Sequence, residues 1–185
     1  MDNLALTHHA ADEASAFLDA LCDAYADAYG KVPGEDSGIK SSAFRDRATD
    51  ALEARNYELV VARAGEGIVG FVFGYSLRPE RDWWKGLKPE PPDGFTLETG
   101  NRTVVLAEIE VRQKWQGRGV GRGLHDAFLR GRAEERATLA CSTVGWQAAI
   151  RAAGLHTGEI NEVNAPGASQ VCCTIVTAFK PIHRT

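Results

Sequence analysis

The 185-residue chain lacks any unbroken apolar run of about 18 residues, so no segment reads as a membrane-spanning helix. Its first residues, MDNLALTHHAADEA, carry neither a basic stretch nor an apolar core, which argues against a secretory signal and makes the cytoplasm the expected location. A basic surface is missing as well. Lys and Arg number 21 against 25 Asp and Glu, and the net charge of -4 argues against nucleic acid as the main partner. Cysteine is sparse: Cys22, Cys141, Cys172 and Cys173 form no CxxC pair, and no histidine is spaced to complete a zinc site. No metal is therefore expected, and the cysteines read as reduced core fillers. No GxxxxGK[ST] run occurs, which excludes a Walker-type nucleotide loop. What remains is ordinary for a soluble globular protein, with 44% hydrophobic and 25% charged residues. The length suits one domain over residues 1–185, with a sizeable core.

Against that background one stretch stands out, from Val104 to Leu129: VVLAEIEVRQKWQGRGVGRGLHDAFL. Val104 to Val111 is apolar and β-branched, with Glu108 and Glu110 alternating in. Their spacing puts both carboxylates on one face of a strand, with Ala107, Ile109 and Val111 on the other. Gln116-Gly117-Arg118-Gly119-Val120-Gly121 then makes a glycine-rich turn, after which Val120, Leu124, Ala127 and Phe128 recur at helical spacing. The first turn of a helix offers unpartnered N–H groups and the positive end of its dipole. Glycines remove the Cβ atoms that would hold a phosphate away from those groups, and Arg118 and Arg122 add charge beside them. Such a turn suits a pyrophosphate. A dinucleotide-binding turn would read GxGxxG. Here the spacing is GxGxG, from Gly117 to Gly121, followed by Gly123. The plain alternative is a glycine-rich helix start with no ligand.

The stretch resembles the GNAT superfamily of acyl-CoA N-acyltransferases. The signature Q/R-x-x-G-x-G/A is matched by Gln116-Gly117-Arg118-Gly119-Val120-Gly121, and the strand before it and helix after it stand in the family's order. The resemblance implies an α/β GNAT fold with a mixed, mostly antiparallel central sheet flanked by helices. Acyl-CoA then enters where the strand ending at Val111 (strand 4) and the strand near Leu139 (strand 5) splay apart. It also implies that the backbone at Ile109 and Val111 pairs with pantetheine, and that the amides of Gln116, Gly117, Arg118, Gly119, Val120, Gly121 and Arg122 hold the pyrophosphate. Acetyl-CoA is the implied acyl donor.

The rest of the chain fits that order. Leu4 to Thr7 reads as a short strand. Ala11 to Tyr29 reads as a helix with Asp12 as N-cap and Gly30 as stop. Lys31 to Lys40 reads as a loop, and Ser41 or Ser42 caps a second helix to about Arg55. Tyr57–Ala64 and Ile68–Tyr75 form a hairpin over Gly65-Glu66-Gly67. Between Ser76 and Arg102 lies a long irregular segment containing Trp83, Trp84, Phe95 and Pro79, Pro89, Pro91 and Pro92. Long loops of this kind are often functional. Trp83 and Trp84 read either as a wall of the acceptor pocket or as cover for a sheet edge or dimer contact. The helix after the glycine turn is expected to reach about Arg136. A strand over Thr138–Ser142, a short helix over Gln147–Ala153, and a last hairpin over Leu155–Val163 and Val171–Phe179 follow. Family members often pair through that hairpin or the Trp83-Trp84 loop, so the association that the resemblance implies is a homodimer.

Acyl transfer to an amine needs a proton acceptor, stabilisation of the carbonyl oxygen and a proton for the leaving thiolate. Glu108 and Glu110 are the candidate catalytic carboxylates, since like charges on one strand face tend to raise one pKa. Alternatively they bind the acceptor's ammonium or pair with an arginine. For the acid the sequence departs from the family. The usual tyrosine of the last short helix is Ile150, Leu155 replaces the aromatic after Gly154, and Thr143 stands near the place of a usual asparagine. Ser142, Thr143, Cys141 or solvent would serve instead. His8, His9, His156 and His183 read as surface or satisfied histidines, and His125, beside Leu124, is expected to face outward. The leading expectation is acetyl transfer from acetyl-CoA to a small amine, whether aminoglycoside-like, polyamine-like, an amino acid or another metabolite. The rivals are a catalytically weak acyl-CoA-binding module and a GNAT-fold hydrolase, decarboxylase or O-acyltransferase. Under all of these, replacing Gly119 with valine is expected to abolish acetyl-CoA binding in an isothermal titration.

Overall fold

The structure, a computed structural model, describes residues 4–30, 37–81, 83–85, 87–88, 90–142, 160–163 and 172–178. In chain order its elements are β1 (Leu4–His9), α1 (Ala11–Ala14), a 3-10 turn (Ser15–Phe17), α2 (Leu18–Tyr29), α3 (Ser37–Leu52), β2 (Glu58–Ala64), β3 (Gly67–Ser76), β4 (Leu87–Lys88), β5 (Thr103–Val111), a second 3-10 turn (Gln113–Trp115), α4 (Val120–Leu129), β6 (Arg136–Ser142), β7 (Ile160–Val163) and β8 (Cys172–Ala178). The chain divides into two compact units, Met1–Tyr75 with Glu108–Arg130, and Ser76–Ala107 with Gly131–Thr185. The mixed α/β architecture expected from the sequence is present. The expected Gln147–Ala153 helix, Ile150, Thr143, Leu155, His156 and His183 lie outside the described residues.

In the first unit the strand order is β1-β2-β3-β5, and β1-β2 and β2-β3 are antiparallel. The β2-β3 hairpin turns over Gly65 and Glu66, with Gly65 at φ +57°, as a short turn between right-twisted strands requires. Leu59, Val60, Val61 and Ala62 are all buried although they alternate in direction. A strand reads as a continuous apolar run when both of its faces are covered. On one face Phe44 of α3 stacks on Tyr25 of α2 at 4.3 Å and meets Phe71 and Phe73 of β3 at 5.8 and 6.3 Å. On the other lies α4. A Cβ at Gly70 would stand 2.8 Å from the Glu110 carbonyl oxygen and 3.1 Å from Leu124 Cδ1, so only glycine lets β3, β5 and α4 approach this closely.

Several boundaries differ from expectation for local reasons. The first helix is tightened by the 3-10 turn at Ser15–Phe17, and Ala10 rather than Asp12 is its N-cap, with no side-chain cap. Gly30 does stop α2, at φ +65°, its N–H reaching the carbonyls of Ala26 and Asp27. The second helix begins at Ser37, ahead of Ser41 and Ser42, and ends at Leu52. α4 ends at Leu129, well short of Arg136: Gly131 takes φ +87°, and Arg136 is needed in β6. His125 is buried at 6% exposure rather than outward. It shares a side of α4 with Gly121 and Phe128, four residues before and three after, so the covered face is wider than the apolar stripe alone.

In the second unit the order is β5-β6-β8-β7-β4. Thr103–Val105 pairs in parallel with Arg136–Thr138, β6-β8 and β7-β8 are antiparallel, and β4 pairs with β7. The expected final hairpin is therefore present as β7 and β8. Replacing Gly70 with alanine is expected to destabilise the protein by about 1–3 kcal/mol through overpacking, measured by denaturant unfolding.

Candidate active site

Both carboxylates singled out on β5 belong to the first unit, on the face shared with α2 and α3. Glu108, 16% exposed, accepts two hydrogen bonds on one oxygen from Arg47 of α3, from Nη2 at 2.8 Å and Nε at 3.2 Å. Arg47 also hydrogen-bonds Tyr25. Glu110 meets a different partner, accepting a hydrogen bond from the hydroxyl of Tyr29 at the end of α2. The two carboxyl groups therefore sit in unlike surroundings. Burial pushes both upward in pKa. For Glu108 the Arg47 guanidinium opposes that push. Glu110 is pushed up to about 8, first by burial and then by the charge of Glu108, with the Tyr29 hydroxyl and Arg47 pulling the other way. Tyr29 in turn is raised, by burial first and then by Glu110. Like charges of one pair driven apart in this way are a frequent mark of an acid-base site.

Three of the bonds made by the turn that follows β5 tie it to α2, through Asp23, Asp27 and the Ala28 carbonyl. Arg112 hydrogen-bonds the Ile68 carbonyl at 2.7 Å and pairs with Asp23, while its N–H reaches the Val69 carbonyl at 2.9 Å. The Gln113 N–H reaches Asp27 at 3.0 Å. Gln116 donates its side-chain amide to the carbonyls of Val111 at 2.9 Å and Ala28 at 3.3 Å. The side chain of Gln116 thus holds the turn against the strand end and α2, and its N–H is donated to the Gln113 carbonyl at 3.2 Å.

The glycine turn has the form the sequence suggests. Gly117 and Gly119 take φ +71° and +82°, with open space where their Cβ atoms would be. Gly119 is the left-handed N-cap of α4, and the first intrahelical bond runs from the Gly123 N–H to the Gly119 carbonyl. The N–H groups of Val120, Gly121 and Arg122 consequently have no partner further back in the helix. Arg118 lies over the Trp115 ring at 5.6 Å, and Arg122 is exposed, 3.7 Å from Asp126. N–H groups without an intrahelical partner, open glycines and two surface arginines fit a polyanionic phosphate ligand. The described residues hold no group of three His, Cys, Asp or Glu side chains that could bind a metal, and no helix long and apolar enough to cross a membrane.

The acetyltransferase (GNAT) family matches the chain over residues 18–154, from α2 through the glycine turn and beyond β6. The chain belongs to the GNAT acetyltransferase family. It is therefore an acyltransferase of that class. The fold is similar to that of a GNAT acetyltransferase from Bacillus cereus, at 15% identity and TM-score 0.58, covering 95% of this chain and 97% of that one. It is also similar to the PaiA N-acetyltransferase of Thermoplasma acidophilum solved with coenzyme A, at 8% identity and TM-score 0.59, covering 96% and 99%. A third likeness is to an aminoglycoside acetyltransferase from an uncultured soil metagenomic sample, solved with sisomicin, at 17% identity and TM-score 0.53, covering 84% and 90%. No curated protein matches the chain in sequence.

In the second unit of this GNAT acetyltransferase, Trp83 and Trp84 are held by polar partners. Trp84, 7% exposed, donates its indole N–H to Glu98 at 2.9 Å and meets Phe95 edge-on. Arg136 lies over both rings and pairs with Glu98 at 2.7 Å. Trp83 donates to Thr138 at 3.2 Å. Arg102 gathers the carbonyls of Gly94, Phe95 and Leu97. The irregular segment is thus held by two arginines, with Trp84 inside it and Trp83 the more exposed of the pair.

Sequence reasoning missed Arg47, Tyr29 and Arg112. Tyr25 and Tyr29, four apart and just before Gly30, could have signalled one aromatic face at a helix end. Nothing in the sequence distinguishes Arg47 from Arg45. Because the folded state raises Glu110 above its unfolded value, it contributes stability fully present at acid pH and lost as pH rises through about 8. Glu110→Gln is expected to flatten that loss by about 1–3 kcal/mol, read as melting temperature against pH for both proteins.

Proposed function

We propose that the protein is an N-acetyltransferase that moves an acetyl group from acetyl-CoA to a primary amine of a small molecule. The observation that carries this reading is Glu110: a carboxyl raised to about 8, on the strand that leads into the glycine turn, beside a second carboxyl held by arginine. An alkylammonium must lose a proton before its nitrogen can attack a thioester. A base poised near working pH suits that removal better than an ordinary carboxylate, which is too weak. Glu110 is read as the proton acceptor. Glu108, fixed by Arg47, supplies the negative charge that keeps Glu110 basic.

Acetyl-CoA supplies the activated acetyl group. The amides of Gly117 to Arg122, with Arg118 and Arg122, are read as the hold on its pyrophosphate, and the backbone at Ile109 and Val111 as the hold on pantetheine. Trp83 is read as the member of the tryptophan pair able to touch the acceptor. Among similar folds stand an aminoglycoside acetyltransferase and a ribosomal-protein-alanine N-acetyltransferase from Brucella melitensis, which supports an amine as acceptor. The family match draws on residues of both compact units, which supports reading residues 1–185 as one catalytic domain.

The test combines isothermal titration of acetyl-CoA with thiol release over an amine panel. Saturable binding and amine-dependent release are expected, with kcat/KM rising with pH to a plateau above about 8. Glu110→Gln is expected to lower kcat about 10²–10⁴-fold and to remove that rise, leaving acetyl-CoA binding intact. Unchanged rate and pH profile in the variant would rule out Glu110 as the base. Binding without release for any amine would favour the ligand-binding module.

A further inference from the structure

The carboxylates carried by α2 and β5 are nearly all partnered. Asp19 pairs with Arg45, and Asp23 with Arg112. Asp27 accepts from the Gln113 N–H and lies 3.8 Å from Arg112. Glu108 takes two hydrogen bonds from Arg47. Glu110 differs from these in having no paired cation: its hydrogen bond comes from the Tyr29 hydroxyl, and among the described residues no arginine or lysine stands within ion-pair distance of it. The two groups that meet these half-buried carboxylates, Arg47 at 52% side-chain exposure and Tyr29 at 46% exposure, are respectively cationic and neutral. With Glu110 ionised, the cluster of Arg47, Glu108 and Glu110 carries one net negative charge.

We infer that the acceptor is a small molecule with a single cationic amine, and that Arg47 sets this preference by occupying Glu108. The inference rests on the reading of Glu110 as the carboxylate that meets the amine. An acceptor with one ammonium is matched by Glu110 and gives up its proton there. A second ammonium a few ångströms away on the same molecule finds Glu108 already neutralised and the Arg47 guanidinium in its path. Like charges at that separation in a half-buried site repel strongly enough to weaken binding about ten-fold. Arg47 is thus a specificity-determining residue that acts through Glu108, and without it the site would offer two carboxylates and suit a dication.

The experiment compares butylamine with putrescine, equal in carbon chain and different by one amine, using the full chain, acetyl-CoA and thiol release. Wild type is expected to show the higher kcat/KM for butylamine. Arg47→Gln is expected to move the ratio toward putrescine about ten-fold, mainly through KM for the diamine, while Arg47→Lys keeps the wild-type preference. A wild-type preference for putrescine, or a ratio unmoved in Arg47→Gln, would overturn the inference while leaving acetyl transfer standing. Absence of release with every amine would overturn the acetyl-transfer reading and this inference with it. Folding of each variant is checked by thermal melting, and should Arg47→Gln fail to fold, the wild-type ratio and that of Arg47→Lys decide.

Discussion

Two carboxylates on one face of one strand, partly withdrawn from water together, are the constraint on which the first unit turns. Side by side and half-buried, Glu108 and Glu110 cannot both ionise freely, so the surroundings must decide which carries charge at neutral pH. Arg47 decides it, with two hydrogen bonds to Glu108 and none recorded to Glu110. The outcome is a division of labour between residues two apart in sequence. One is a fixed charge and the other a carboxyl raised to about 8.

The division requires that α2 and α3 stay where they are. Arg47 reaches Glu108 because α3 is anchored by Phe44, stacked on Tyr25 and set against Phe71 and Phe73 of β3. Tyr29 reaches Glu110 because the end of α2 is tied through Asp23, Asp27 and the Ala28 carbonyl to Arg112, Gln113 and Gln116. The last three residues stand between the strand and the glycine turn. The segment that orients the carboxylates therefore also fixes the start of α4, where the helix N–H groups have no intrahelical partner. Gly70 completes the arrangement by admitting the backbone of Glu110 and Leu124 at close range.

What the sequence revealed was local. Alternation in a strand put Glu108 and Glu110 on one face, and the glycines from Gly117 to Gly121 marked a turn before a helix, because both features depend only on neighbours in the chain. What it concealed was long-range. Arg47 lies 61 residues from Glu108 and has nothing in its own neighbourhood to mark it out from Arg45. The helix expected to reach about Arg136 stops at Leu129, because Gly131 takes a positive φ and Arg136 is held in β6 by Thr103 and Glu98. Trp84, read from the sequence as a pocket wall or as cover for a sheet edge or dimer contact, lies against Glu98 and Arg136, partners 14 and 52 residues away that its own neighbourhood does not reveal. His125 stood one residue off an apolar stripe whose real width the tertiary structure sets.

The most direct test of this account is a carboxyl carbon NMR titration of the full chain, with Glu108 and Glu110 assigned by single Glu→Gln exchange. The account predicts that Glu110 titrates near 8 and Glu108 below it, and that Arg47→Gln changes both midpoints. If both carboxyls titrate together in the ordinary carboxylate range, burial does not poise Glu110 as a base, and the central claim fails.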